Sequence, residues 1–346
     1  MISKETNTII KGIAVLMMLF LHLFNGQILD FYPELQELPY RPLCYLDGQP
    51  LEYIITRCCR PVPFFFILSG YGMSILYKKN RLSYLSQTKR LLRIFSAYWI
   101  TLLIFVPIGH WLGYDNYPGS IWNLLENASS YSNSYNLSMW FLFPYTIICL
   151  ISPFIINLTK QKKSYLAVFI ITGILYGITG YIISRHIEHI GYHSVMGHLL
   201  MCIQYIFPFT CGVFIQKINI IAHPLWQKLI QNKTLPIIFL FIVILLKSLL
   251  DSQALDTLYA LAFIILLTTI PIHRYISRIL YIFGKYSMVM WMVHMYLSHY
   301  FFTSFIYGFR YPFLIFTVLL ICSFSISFVI TRINEKIHFL ILRYDK

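Results

Sequence analysis

The residues with the most chemical potential in this chain are ionisable groups set inside apolar runs. The segment KGIAVLMMLFLHLF places Lys11 and His22 eleven residues apart. Eleven helical steps come round to within about 20° of three whole turns, so both side chains share one face, roughly 16 Å apart along the axis. A cation at one end of a stripe and an imidazole deep within it would suit an anionic ligand reaching towards a base. The competing reading is a lysine that snorkels to a polar rim and a histidine satisfied by a neighbouring carbonyl. Spacing leaves both open. A second segment, KYSMVMWMVHMYLSHYFF, holds His294 eight residues beyond Tyr286, about 12 Å along a helix. Two histidines at one depth can act as a general base and its orienting or proton-accepting partner, or be unrelated core groups. His299 is nearer the far end of that segment and is expected to be less central. Arg90 and Arg93, in TKRLLRIFSAYW, put two guanidinium groups on adjoining helical faces, as phosphate recognition needs. A basic collar against anionic lipid head groups explains them equally.

Other constellations carry less. His186, His189, His193 and His198 crowd one short segment, but the only acid among them is Glu188, and no metal is expected. No HExxH, GxSxG, Walker or GxGxxG motif is present. The seven cysteines show neither CxxC nor zinc spacing. One disulfide among Cys44, Cys58 and Cys59 is left open.

The elements that must position these groups follow from composition. Of 346 residues, 58% are hydrophobic and 12% charged, with a mean hydropathy of +0.66. A soluble domain carries about 25% charged residues, so half the solvating surface is missing. The 28 Phe and 27 Tyr exclude a disordered chain, and the continuous apolar runs lack the alternation of an outer-membrane barrel. The expected fold is an all-α polytopic membrane protein of about ten transmembrane helices in a single domain covering 1–346. The predicted spans are 12–28, 61–77, 94–112, 139–158, 165–184, 199–215, 235–250, 254–272, 286–307 and 312–331. No small-residue cleavage site follows the first run, which is read as an uncleaved span.

Ten spans place both termini on one side. That side collects 21 of the 27 Lys and Arg but only 3 of the 13 Asp and Glu. Positively charged loops stay in the cytoplasm, so both termini are expected there. The net charge of +14 is thereby explained by topology, and no nucleic-acid partner is needed. On the opposite side, the 113–138 loop is rich in Tyr, Asn and Ser and contains no Lys or Arg. Such a loop can hydrogen-bond and stack on sugars, although any solvated loop reads the same way.

Taken in order, these segments resemble the acyltransferase-3 family of integral membrane acyltransferases, which includes bacterial O-antigen and exopolysaccharide O-acetyltransferases. The Lys11–His22 pair resembles the family's basic residue, ten residues, then His. VPFFFILSGYGMSIL at 62–76 resembles its aromatic-SG span, and KRLLRIFSAYW at 89–99 its RxxR segment, with Ser96 where Pro is common. SMWFLFPYTIICLISP at 138–153 resembles its WFL span, and FGKYSMVMWMVHMYL at 283–297 its late SxxxYxxH helix, with Trp291 at the usual Tyr place. The resemblance is to compact members without a fused extracytoplasmic domain. It implies an acyl-CoA co-substrate (acetyl-CoA foremost) on the cytoplasmic side, no permanently bound cofactor, and a hydroxyl acceptor on a glycan or lipid-linked saccharide. It also implies a multi-pass protein of the bacterial inner membrane, in contact with membrane lipids.

By that similarity His22 is catalytic, and Lys11, Arg90 and Arg93 bind the donor. His294 and Trp140 are then candidate donors to the thioester oxyanion. Ser69 is a candidate relay nucleophile lining the site, or simply part of a Ser-Gly step that permits close helix packing. The alternative from another class is a secondary transporter or flippase for a lipid-linked sugar or small anion, because intramembrane histidines also suit proton coupling. Against it, no inverted repeat or paired broken spans are visible.

Overall fold

The structure, a computed structural model, describes residues 2–26, 40–220, 223–224, 226–227, 231–232 and 234–344. The chain is helical almost throughout. Its helices are α1 (Lys4–Phe24), α2 (Leu51–Thr56), α3 (Val62–Lys78), α4 (Tyr84–Trp111), α5 (Ile121–Ala128), α6 (Leu142–Leu158) and α7 (Lys162–Ile190). They continue as α8 (Val195–Ile218), α9 (Leu235–Leu249), α10 (Asp256–Leu267), α11 (Arg274–Met295), α12 (Thr303–Tyr307) and α13 (Pro312–Tyr344). A two-stranded antiparallel ribbon pairs Tyr45–Leu46 with Gln49–Pro50.

Local chemistry marks the helix ends. Ser3 caps α1 by accepting the Thr6 N–H at 2.9 Å, and Ser194 caps α8 by accepting that of Gly197 at 2.9 Å. Pro63 and Pro236 occupy the first turns of α3 and α9, where a missing N–H costs nothing. Asn80 and Asn219 adopt left-handed φ of 55° and 48° beyond α3 and α8, a conformation asparagine tolerates.

Each predicted apolar segment overlaps a helix, with shifted boundaries; 254–272 runs past the end of α10 at Leu267, and 286–307 is broken between Tyr300 and Thr303. The first helix begins eight residues early because the Ser3 cap recruits the polar KETNT stretch. Its predicted end at 28 lies outside the described residues. Six helical segments are long and apolar enough to cross a membrane: Lys4–Phe24, Tyr84–Trp111, Leu137–Leu158, Lys162–Ile190, Val195–Ile218 and Pro312–Phe339. Val62–Lys78, Leu235–Leu249 and Gln253–Leu267 are apolar but shorter. The outward face of α7 exposes Ile170, Ile171, Ile174 and Ile178, an apolar surface that needs lipid. The seven cysteines are free thiols, Cys58 and Cys59 buried and Cys44 exposed.

The chain divides into two compact units. The first comprises residues 1–10, 60–91 and 141–278. Its core is the crossing of α3 and α8, where both helices use glycine. A Cβ on Gly70 would lie 2.0 Å from the Phe209 carbonyl, and one on Gly212 would lie 1.9 Å from that of Ile67. Small residues at this crossing let the backbones touch. The second unit comprises 11–59, 92–140 and 279–346. Its central element is the second half of α11 with the turn that follows, buried without a break from Val289 to His299. Polar side chains on so enclosed a segment must find partners inside the protein.

Candidate active site

In the second unit, α1 and α11 run parallel and in register. A Cβ on Gly12 would lie 2.0 Å from the Leu280 carbonyl and 3.1 Å from the Gly284 amide, so the two backbones touch there. Ten residues further along each helix, His22 meets His294: Nδ1 of His22 lies 2.5 Å from Nε2 of His294. The two rings are nearly coplanar in orientation, 8° apart with centroids 4.8 Å apart. The expected shared depth is thus a direct hydrogen bond.

The proton positions on this pair follow from its neighbours. His294 Nδ1 lies 2.7 Å from the Trp291 carbonyl, which can only accept, so His294 carries its proton on Nδ1. A neutral His294 then offers a lone pair at Nε2, and His22 must donate Nδ1–H to it. That assignment leaves the lone pair of His22 on Nε2. The fixed tautomer presents a base, and His22 is partly exposed whereas His294 is fully buried.

The α11 backbone around this pair is held by the 136–138 segment. Asn136 donates from Nδ2 to the Met292 carbonyl at 2.9 Å, and Trp291 donates from Nε1 to the Ser138 carbonyl at 3.0 Å. Ser138 in turn donates to Asn136 Oδ1 at 2.6 Å. The loop therefore fixes Trp291, whose own carbonyl orients His294. Trp140, two residues beyond Ser138, is partly buried at the end of this segment.

His299 is more central than its position in the sequence suggested. After Met295 the helix widens into a π-turn over Tyr296–Tyr300, with Phe301 N–H bonded to the Tyr296 carbonyl at 2.9 Å. Residues five apart lie about 140° apart on an α-helix, but a π-turn brings them towards one face. His299 is accordingly buried and close to both His22 and His294. Ser298 Oγ donates to the His294 carbonyl at 3.0 Å and lies 2.6 Å from His299 Nδ1. Three histidines thus share one polar cluster.

The remaining candidates are distributed between the units. Lys11, partly exposed, precedes the Gly12 contact on the same helix as His22. Arg93 is exposed, and its carbonyl accepts from Ser96 and Asn334 at 3.2 and 3.0 Å. Arg90 belongs to the first unit, where its guanidinium donates to the Tyr145 hydroxyl at 2.8 Å. Because arginine cannot accept, that hydroxyl directs its proton elsewhere, and Ser69 Oγ is 3.3 Å away. Arg90, Tyr145 and Ser69 form a chain within the first unit, while Gly70 beside Ser69 makes the α3–α8 crossing. Among the described residues, no three His, Cys, Asp or Glu side chains converge as a metal site would require.

The family profile described as an acyltransferase domain, that of the acyltransferase-3 family, matches residues 8–332 of the chain. The chain belongs to the acyltransferase-3 family. No curated protein and no solved structure matches it. The match encloses Lys11, His22, Ser69, Arg90, Arg93, Trp140, His294 and His299. Membership in this family, together with the apolar helices, makes the protein a membrane acyltransferase.

No role was expected of Asn136, Ser138 or Tyr145 from the sequence. All three sit in or beside the SMWFLFPY segment, and only their placement opposite Met292, Trp291 and Arg90 distinguishes them from ordinary polar residues.

Proposed function

We propose that the protein transfers an acyl group, acetyl foremost, from acyl-CoA on the cytoplasmic side of a bacterial inner membrane to a hydroxyl of a cell-surface or lipid-linked glycan. The observation that carries this reading is the His22–His294 bond, which leaves Nε2 of His22 as a neutral base. In the proposed reaction Nε2 takes the proton of the acceptor hydroxyl as its oxygen attacks the thioester carbonyl. The tetrahedral intermediate collapses with cleavage of the C–S bond, and the proton on His22 passes to the departing thiolate. His294 holds the tautomer and supports the transient imidazolium. Trp140 is the candidate donor to the oxyanion. His294 is not assigned that task, because its Nδ1 proton is already used on Trp291.

Lys11, Arg90 and Arg93 are proposed to bind the phosphates of the coenzyme, for which charge-assisted and bidentate contacts are suited. Ser69 lines the first unit's polar chain, and its contact with Tyr145 supports a positioning role over a relay nucleophile. Thioester cleavage by the purified protein, dependent on a glycan acceptor, tests the reading. His22→Gln should lower turnover by about 10²–10⁴, the usual loss with a general base, with melting nearly unchanged. Turnover above about a tenth of wild type would remove His22 from the role. A transporter would show acceptor movement without thioester cleavage.

A further inference from the structure

A cavity of about 510 Å³ opens in the first unit where three helices end together, and it is lined by residues outside the site described above. Lys78 at the end of α3, Lys160 just beyond α6 and Lys217 near the end of α8 converge on it, with Ser74, Tyr77, Asn80, Gln216 and Asn219 completing the wall. Among the described residues, no carboxylate lines it. Three cations therefore share one concavity without an acidic counter-charge in its wall, an arrangement of like charges that favours an anion.

The neutral lining residues are also set to donate. Ser74, buried, donates to Oε1 of Gln216 at 2.8 Å, which occupies the amide's acceptor side and turns its Nε2 donors away from Ser74. Tyr77 donates to Asn157 Oδ1 at 2.8 Å, fixing its ring along the wall. Lysines near helix C-termini complement the helix dipole in any protein, but that role needs neither a shared cavity nor an oriented amide. Leu76 and Leu158, on the helices that supply Lys78 and precede Lys160, are both exposed, so the polar cavity borders apolar surface.

We propose that this pocket binds a phosphate group, with Lys78, Lys160 and Lys217 as its counter-ions and Gln216 as a neutral donor. Two ligands carry that chemistry: the headgroup of an anionic phospholipid, or a soluble nucleotide phosphate. Only the second draws on the donor reading above.

The test uses purified full-length protein and two probes. Retention of phosphatidylglycerol in mixed-lipid nanodiscs is followed by native mass spectrometry, and 3′,5′-ADP binding is followed by calorimetry. The K78Q/K160Q/K217Q variant should bind at least one probe about tenfold or more weakly, since contacts to charged groups are the strong ones. Loss confined to phosphatidylglycerol identifies a lipid headgroup, and loss confined to 3′,5′-ADP identifies a nucleotide phosphate. Loss of both shows that the phosphate alone is read. Gln216→Glu, which keeps the lysines and adds a carboxylate, should weaken the same probe and decides the matter if the triple variant does not fold. A triple Lys→Arg variant should retain binding. Wild-type affinity for both probes in the triple variant, or in Gln216→Glu if that is the one that folds, would overturn the proposal. Acyl transfer measured in parallel reports on the histidine pair separately, because none of these residues belongs to it.

Discussion

Gly12→Ala should uncouple the histidine pair without touching either imidazole. The new methyl would start 2.0 Å from the Leu280 carbonyl oxygen, whereas ordinary contact begins near 3.4 Å. The carbonyl belongs to the helical backbone of α11 and the methyl is fixed directly to that of α1, so no side chain can swing aside, and α1 must move from α11 by more than about 1 Å. The His22–His294 separation, 2.5 Å in the native protein, then reaches or passes the limit of a hydrogen bond. Overpacking of this kind costs about 1–3 kcal/mol, and a 1 Å misplacement of a reacting group costs about 10²-fold in rate. The expected outcome is a turnover near a hundredth of wild type with a modest fall in detergent Tm. Steady-state acyl transfer with varied donor, and fluorescence-detected melting, measure the two effects. The donor KM separates causes, because movement of Lys11 alone would raise KM and leave kcat. Wild-type kcat in a folded Gly12→Ala protein would refute the claim that this contact sets the histidine geometry.

If Lys11, Arg90 and Arg93 hold coenzyme phosphates, neutralising each to Gln should weaken acyl-CoA binding in isothermal titration. A charge-assisted contact is worth about 1.5–3 kcal/mol, so Arg90, part-buried against Tyr145, should lose about 10- to 150-fold. Exposed Arg93 should lose less, because solvent screens it. In a Cys44→Ser background, Asn116→Cys should react with an impermeant maleimide in intact cells and Ser83→Cys should not; the reverse pattern would overturn the cytoplasmic placement of the termini. Asn136→Ala should strand the Met292 carbonyl and lower stability by about 1–3 kcal/mol, seen as a lower Tm, with a fall in kcat if the loop orients Trp291 and His294.

The sequence exposed those features that depend on periodicity. Continuous apolar runs marked the helices, and the eleven-residue interval put Lys11 and His22 on one face because helical pitch alone decides that. The depth of His294 could be counted in the same way. His299 could not, because its approach depends on a π-turn inside VHMYLSHYFF, whose residue types do not distinguish it from an α-helix. Asn136 and Ser138 sit where a loop of solvent-like polar composition enters the next helical segment, and their contacts to α11 run through backbone carbonyls, that of Met292 and that of Ser138 itself, which leave no trace in residue type. Gly12 was visible beside Lys11, but nothing local to it indicates that Leu280 lies opposite. The histidine pair, set by helical spacing, was legible; Tyr145 and the residues paired through backbone were not.

The choice of an imidazole as partner to His22 has a physical consequence. A carboxylate would orient the base as well, but in an apolar helix bundle it would add a buried charge that must be paid for by another ion. His294 orients His22 while neutral, because its second nitrogen is satisfied by the Trp291 carbonyl. In the proposed mechanism, charge arises only when Nε2 of His22 accepts a proton, and the His22 Nδ1–H···Nε2 bond would then become charge-assisted and stronger. On that mechanism the interaction would tighten as the proton transfers, the differential stabilisation that accelerates a chemical step. Replacing His294 by Asp should strengthen ground-state orientation yet disturb the buried charge balance. His294→Asn should keep a weaker acceptor for His22 Nδ1–H but lose most of the tightening. If the pair works in this way, His294→Asn lowers kcat with little change in KM. A variant in which KM alone rises would place His294 in substrate binding and leave His22 without the partner argued for it.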